Sequence, residues 1–238
     1  MLTVPAHIDA LGVRGAQPDF KSDRTTLGGL ADVEVPIVYA AAAGASERAK
    51  LAFGAATAEW IAWRLDGAAD VGDLLQFLEG LWAAVIDYRY FQEVKHAAPE
   101  NGGDLDHLLF KVWQTANALA RLCPRGKGKP MDCVALSVLA RHVLPRPAQP
   151  ALKDWLARVT TDLLPAHWPM DEEIKDAAAR QGPPVPREAF DPAFAYDPAR
   201  DRELLDAFLR GLDPAKNPYL RPAAEMKAAG FPGEPYRS

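Results

Sequence analysis

The sequence predicts an all-α fold, an irregular bundle of five to six main helices. Two long apolar-periodic segments between Ser46 and about residue 98 carry Trp60, Trp63 and Trp82 at helical spacing. A third, with Trp113, follows to Cys123. No 20- to 50-residue period repeats with matching residues, so stacked repeats are not expected. At 238 residues the chain is long enough for one core with an appendage.

Residues 1–45 show no helical period and are punctuated by Gly12, Gly15, Pro18, Gly28, Gly29 and Pro36. They read as an extended N-terminal arm, with one short edge strand where Val33, Val35 and Ile37 alternate with Glu34 and Pro36. The bundle is expected over 46–181. Ser46 is an N-cap for a first helix over 47 to about 65, with Leu51, Ala55, Ala58, Ile61 and Leu65 on one stripe and Gly67 at C′.

Asp70 and Asp73 look like caps for the second helix, whose apolar arc is too wide for a surface helix, so it should be the most buried. Its end is expected at the run from Pro99 to Gly103. Asp104 caps a third helix. Pro130 opens a fourth, to about Leu144. A fifth carries Leu152, Leu156, Val159 and Leu163 and stops at Pro165. Asp171 opens a polar helix to about Arg180.

From Gly182 the composition changes: ten of the 21 prolines lie in the last 57 residues. Asp-Pro-Ala recurs at 191, 197 and 213, an N-cap followed by proline at N1. Phe190, Phe194, Tyr196, Tyr219, Phe231 and Tyr236 are spaced through this stretch, and a disordered tail would be poor in such residues. Residues 182–238 therefore read as a Pro-rich strap with one short helix, packed on the bundle.

Charge and cysteine content narrow the function classes. A net charge of −5 argues against nucleic acid, since phosphate neutralisation needs clustered Lys and Arg. Ile37 to Ala45 is only about half a membrane span. The first fifteen residues carry His7, Asp9 and Arg14 where a signal peptide would be apolar, so a cytoplasmic protein is expected. Cys123 and Cys133 are expected to be reduced thiols, although their spacing permits a bridge. Abundant Ala and Arg suggest a GC-rich bacterial source.

Three constellations carry candidate chemistry. Glu93/His96 and Asp104/His107 each set a carboxylate and an imidazole three residues apart. Helical carboxylate proteins use Glu-x-x-His pairs with extra carboxylates to hold metal ions, and Glu59 and Glu79 are available for that role. The competing reading is macrodipole complementarity, His96 closing one helix and Asp104 opening the next. Asp87-Tyr88-Arg89-Tyr90-Phe91 places charge on the most buried helix, where it needs a partner such as Arg64 or Glu59, or Glu93 for Arg89. The alternative is a ligand or partner cleft formed by Tyr88, Arg89 and Tyr90. Arg125-Gly-Lys-Gly-Lys-Pro130 precedes a helix but lacks a nucleotide-loop pattern, and reads as a solvated loop.

No nucleophile motif is present. The residues favour a non-enzymatic protein-binding module, such as a bacterial cytosolic immunity or adaptor protein that occludes a partner, without a cofactor. Its contact surface would be Tyr88, Arg89 and Tyr90, or Trp168 with Asp171, Glu172, Glu173 and Asp176, facing a basic protein. The alternative is a metal-dependent helical-bundle enzyme using a divalent ion on Glu93, His96, Asp104 and His107.

Overall fold

A computed structural model describes residues 2–16, 18–20, 24–31, 35–170 and 173–236. It is all-helical. The α-helices are α1 (Ala6–Asp9), α2 (Arg24–Ala31), α3 (Pro36–Ala43), α4 (Glu47–Leu65), α5 (Gly72–Ile86), α6 (Asp104–Leu122), α7 (Pro130–Val143), α8 (Gln149–Ala157), α9 (Leu164–His167), α10 (Asp201–Arg210) and α11 (Ala223–Ala228). Helix α4 is the central rod, packed against α5, α6 and α7. None of the described helices is long and apolar enough to cross a membrane.

Helix α4 starts where the Ser46 hydroxyl accepts from Ala49 N at 3.4 Å, and Gly67 follows its end at φ +87°. Every residue of it except Arg48 is buried, so a helix with charges at Glu47, Lys50, Glu59 and Arg64 must satisfy them internally. Val71 stands at the N-cap of the next helix, and Asp70 just before it accepts from Gly72 N at 3.0 Å, while Asp73 lies in the helix's first turn.

Helix α5 is shorter than its pattern predicts. It ends at Ile86, and Asp87 turns out to extended backbone at φ −154°. The Asp87 carboxylate accepts from Arg89 N at 2.9 Å and from the Arg89 guanidinium. A local side-chain bond thus competes with continued helix, and Tyr88–Tyr90 form one 3-10 turn. Residues 92–103 carry no helix, so His96 closes no helix end.

Helix α6 begins one residue after the boundary at Gly103, whose N–H donates to Asp106 at 2.8 Å. Pro130 opens α7 as predicted. The last bundle helix does not stop at Pro165. It passes through a π-helical stretch (Arg158–Leu163) into α9. Proline crowds the carbonyl four residues back, and the widened turn relieves that. Thr160 and Thr161 hydroxyls donate to the Leu156 and Ala157 carbonyls at 2.7 Å.

The N-terminal region is not a continuous extended arm, because α1, α2 and α3 lie within it. Val33 and Glu34 of the expected strand lie outside the described residues, and Pro36 and Ile37 are helical, with Pro36 at the first turn of α3. Asp171 and Glu172 also lie outside them. The expected polar helix is otherwise absent: residues 173–178 carry no helix, and only Ala179–Gln181 form a 3-10 turn.

All three Asp-Pro-Ala sites make the same turn, with Asp191, Asp197 and Asp213 accepting from the N–H two residues on at 2.9, 2.9 and 3.0 Å. Only the one at 197 leads into an α-helix, α10. Farther on, the backbone crosses α5 at Gly80, where a Cβ would stand 2.8 Å from Tyr219 Cβ. It then pairs with the chain after α5: Gln92 N donates to Tyr219 O, and Arg221 N to Tyr90 O.

The 125–130 loop is anchored at its middle. Gly128 N donates to Glu47 at 3.0 Å, and Lys50 donates to both Gly128 O and Glu47. Arg125, Lys127 and Lys129 stay exposed. Cys123 and Cys133 are free and buried, and burial pushes the Cys133 thiol up to about 12.

A Cβ on Gly128 would fall 2.5 Å from both Cys123 Sγ and Glu47 Oε2. Gly128→Ala should therefore destabilise the protein by about 1–3 kcal/mol. Gly29→Ala, in exposed helix with open space, should be neutral or stabilise by up to about 1 kcal/mol. Thermal melts of the two variants check this, and equal melting temperatures would refute the anchoring role of Gly128.

Candidate functional site

The site begins with one carboxylate. Glu59 lies on α4 between Ala58 and Trp60 and is 2% exposed. An ionised group at that depth is costly unless hydrogen-bonded and paired. It accepts from Trp82 Nε1 at 2.7 Å, from Trp63 Nε1 at 3.1 Å and from Arg187 Nε at 2.7 Å, with a second bond from Arg187 Nη2. The two-pronged guanidinium contact fixes both oxygens. Burial works against the Arg187 charge, but attraction to Glu59 outweighs it and the pKa is raised.

Arg187 reaches α4 because Pro186 opens the 3-10 turn Arg187–Phe190, which sets Phe190 against Trp82, Trp155 and Trp168. The same guanidinium donates to Thr3 O, tying down the segment before α1. On α1, His7 packs against Trp60 and Trp155 with ring centroids 5.3 and 6.4 Å apart. Its Nδ1 stands 3.3 Å from Asp191 Oδ1.

Together these groups line a cavity of about 240 Å³, walled by Trp82, Trp155, Phe190 and Phe194 and bearing Glu59, Arg187, Glu188, Asp191 and His7. Neither ring nitrogen of His7 has a well-formed hydrogen bond among the described residues, although both are buried. Burial lowers the His7 pKa, and the neighbouring Asp191 opposes that only in part. The imidazole is therefore neutral at pH 7. With Asp191 beside Nδ1, the proton belongs there, and Nε2 is shut off from solvent.

The residues singled out from sequence are distributed differently. Trp168 is 2% exposed, packed on Phe190 and Tyr196, and offers no contact surface. Tyr90 is buried against Phe231 and Tyr236, while Tyr88 is largely buried with its pKa raised by that burial. Arg89 pairs with Asp87 and lies over Phe231 at 4.5 Å. The charged pair needs neither Arg64 nor Glu59: Arg64 donates to the carbonyls of Val143, Val13 and Ala16. Glu173 and Asp176 are exposed, and Asp176 accepts from Ala179 N at 2.8 Å.

The proposed metal set is not assembled. His96 Nε2 meets the Tyr219 hydroxyl, which in turn donates to Asp73 at 2.8 Å. Glu93 instead contacts Asn117 and Arg121, and Asp104 is exposed in the first turn of α6. His107 lines a separate recess with Phe110 and Lys111. Among the described residues no three His, Cys, Asp or Glu side chains are grouped to hold a metal ion.

Sequence reasoning missed His7, Arg187, Glu188 and Asp191, and assigned Glu59 only supporting roles. The available signal was Glu59 itself, a lone charge in the buried stretch Ala58–Trp63. Comparison with protein-family models, curated proteins and solved structures finds no match to this chain.

The lowered pKa of His7 has a thermodynamic sign. The unfolded chain takes up the proton near 6.5, before the folded one does. The folded state therefore loses stability as pH falls from about 6.5 through the lower folded value, and is unaffected above it. His7→Phe, which retains aromatic packing, should lose less melting temperature than the parent between about pH 7 and pH 5. Identical pH slopes would show that burial by Trp60 and Trp155, with Asp191, Glu59 and Arg187 nearby, does not hold His7 neutral.

Proposed function

We propose that this chain is a small-molecule-binding protein and that the cavity between α1, α4, α5, α8 and the 187–194 segment is its ligand site. The observation that carries this reading is the lining itself: Trp82, Trp155, Phe190 and Phe194 border about 240 Å³ that also bears the carboxylates of Glu188 and Asp191. Aromatic walls with a few fixed polar groups are the usual make-up of ligand pockets. At about 240 Å³ the space exceeds the roughly 150 Å³ that admits benzene, and suits a ligand of about ten non-hydrogen atoms.

A panel of small organic fragments of either charge and of none, read by melting temperature and tryptophan fluorescence, tests this directly. Trp82 and Trp155 stand in the wall and report occupancy. Saturable hits are expected, and Ala56→Phe, which fills the cavity from α4, should remove them while preserving helical circular dichroism. A panel without saturable hits, or hits indifferent to Ala56→Phe, would overturn the assignment.

A second reading keeps the protein-binding module and moves its surface. Ile37 (53% exposed) and Tyr39 (49% exposed) stand on α3, which packs on α7. Ile37 also borders a groove of about 740 Å³ with Val138, Leu152 and Leu156 inside and Arg141, Arg146 and Lys153 outnumbering Asp154 at its rim. Such a surface suits an acidic amphipathic segment rather than a basic partner. The chain would then be an adaptor or immunity-type protein of the bacterial cytosol. An acidic amphipathic helical peptide should bind the parent, and charge reversal at Arg141 and Lys153 should abolish that binding. Equal binding to the reversed variant would eliminate the groove.

A further inference from the structure

Resting on the ligand-site reading above, we infer that the cavity selects an organic cation, specifically a primary or secondary ammonium carried on a small aromatic or alkyl body. The inference comes from which hydrogen-bonding groups the lining has left over.

The donors are largely engaged. Trp82 Nε1 bonds Glu59, and Trp155 Nε1 bonds Phe190 O at 2.8 Å. Arg187 uses Nε and Nη2 on Glu59 and on Thr3 O, leaving only Nη1. An anion entering the cavity would find Arg187 already neutralised by a buried carboxylate.

The acceptors are in surplus. Of the three lining carboxylates, Glu59 is matched by Arg187. Glu188 forms no salt bridge among the described residues, and its charge is met only by longer-range attraction to Arg187. Asp191 has the neutral His7 as its nearest partner and gives just its Oδ1 to Ala193 N, while Arg187 attracts it at longer range. Arg158, held on Ala189 O at 3.1 Å, partly offsets Asp191 from outside the lining. An ammonium N–H is the complement of such a set.

The walls point the same way. Four aromatic side chains, Trp82, Trp155, Phe190 and Phe194, line the space. Rings attract cations through their negative faces, most strongly where water is excluded. At the cavity margin Arg200 already lies 5.7 Å from the Phe194 centroid, an arrangement of that kind within the protein itself.

Three near-isosteric probes test the inference on the intact chain: 2-phenylethylamine, the neutral 2-phenylethanol and the anion 3-phenylpropionate. Each is titrated into the millimolar range and read by tryptophan fluorescence and calorimetry. The amine should bind saturably and the other two at least about tenfold more weakly. Asp191→Asn keeps the side-chain oxygen that caps Ala193, so the fold is expected to survive. Combined with Glu188→Gln it should weaken the amine by roughly tenfold or more and leave the alcohol unchanged. Equal or tighter binding of the alcohol or the anion, or an amine affinity unmoved in the double variant, would overturn the cation assignment while leaving a ligand site in place. Binding of none of the three, beside hits from the wider fragment panel, would do the same. Silence in both experiments would remove the ligand site itself.

Discussion

The contact between Glu59 and Arg187 is the constraint on which the interior depends. Glu59 sits at the middle of the most enclosed helix, and three donors from three places converge on it: Trp63 from its own helix, Trp82 from α5 and Arg187 from the chain after 182. Breaking a buried ion pair by removing one partner typically costs about 3–5 kcal/mol, because the remaining charge is stranded. The pair therefore dictates geometry as well as energy. It fixes the rotation of α4 against α5 through the Trp82 indole and pins the 3-10 turn at 187–190. Through Thr3 it also draws the chain before α1 over the same spot. The cavity is what this convergence leaves open, since bulky indoles held by their N–H groups cannot slide inward to fill it.

Much of the helical framework was legible in the sequence because its signals are local. Ser46, Gly67, Asp70 and Pro130 act where they stand, through side-chain caps, a left-handed backbone or a fixed φ. The errors fall where two local rules compete. Apolar period carries α5 past Ile86, yet Asp87 has closer donors in Arg89, and the short-range bond wins. Pro165 reads as a stop, yet a π turn with two threonine hydroxyls lets the helix absorb it.

The site was barely legible, and the reason is sequence distance. His7, Glu59 and Asp191 meet across separations of 52 and more residues, and no spacing rule links such positions. His7, an isolated histidine beside Pro5, carries no mark of the cavity it faces. The burial of Trp168 and Tyr90 was illegible for a related reason. Trp168, Tyr90 and Tyr236 look alike as residue types whether they anchor a partner or the chain itself, and here they anchor the chain. Glu59 was the exception. A carboxylate flanked by Trp60, Ile61 and Trp63 has to be answered by a cation or by several donors.

The chain after 182 supplies that kind of answer repeatedly. Arg187 meets Glu59 of α4, Asn217 donates to Glu79 of α5 at 2.9 Å, and Tyr219 donates to Asp73 at the start of α5 at 2.8 Å. In each case a carboxylate on a core helix is met by a donor from the Pro-rich stretch. Gly80 is part of the same arrangement, since its missing Cβ lets the Tyr219 backbone lie directly on α5. Apolar burial alone would let this stretch settle in several registers, because Phe190, Tyr219 and Leu220 are interchangeable as hydrophobic area. Directional bonds to Glu59, Glu79 and Asp73 allow only one. The polar contacts thus select the register and the aromatics supply the burial energy, which is how a stretch with so little regular helix takes a defined course over the bundle and brings Glu188 and Asp191 to the cavity wall.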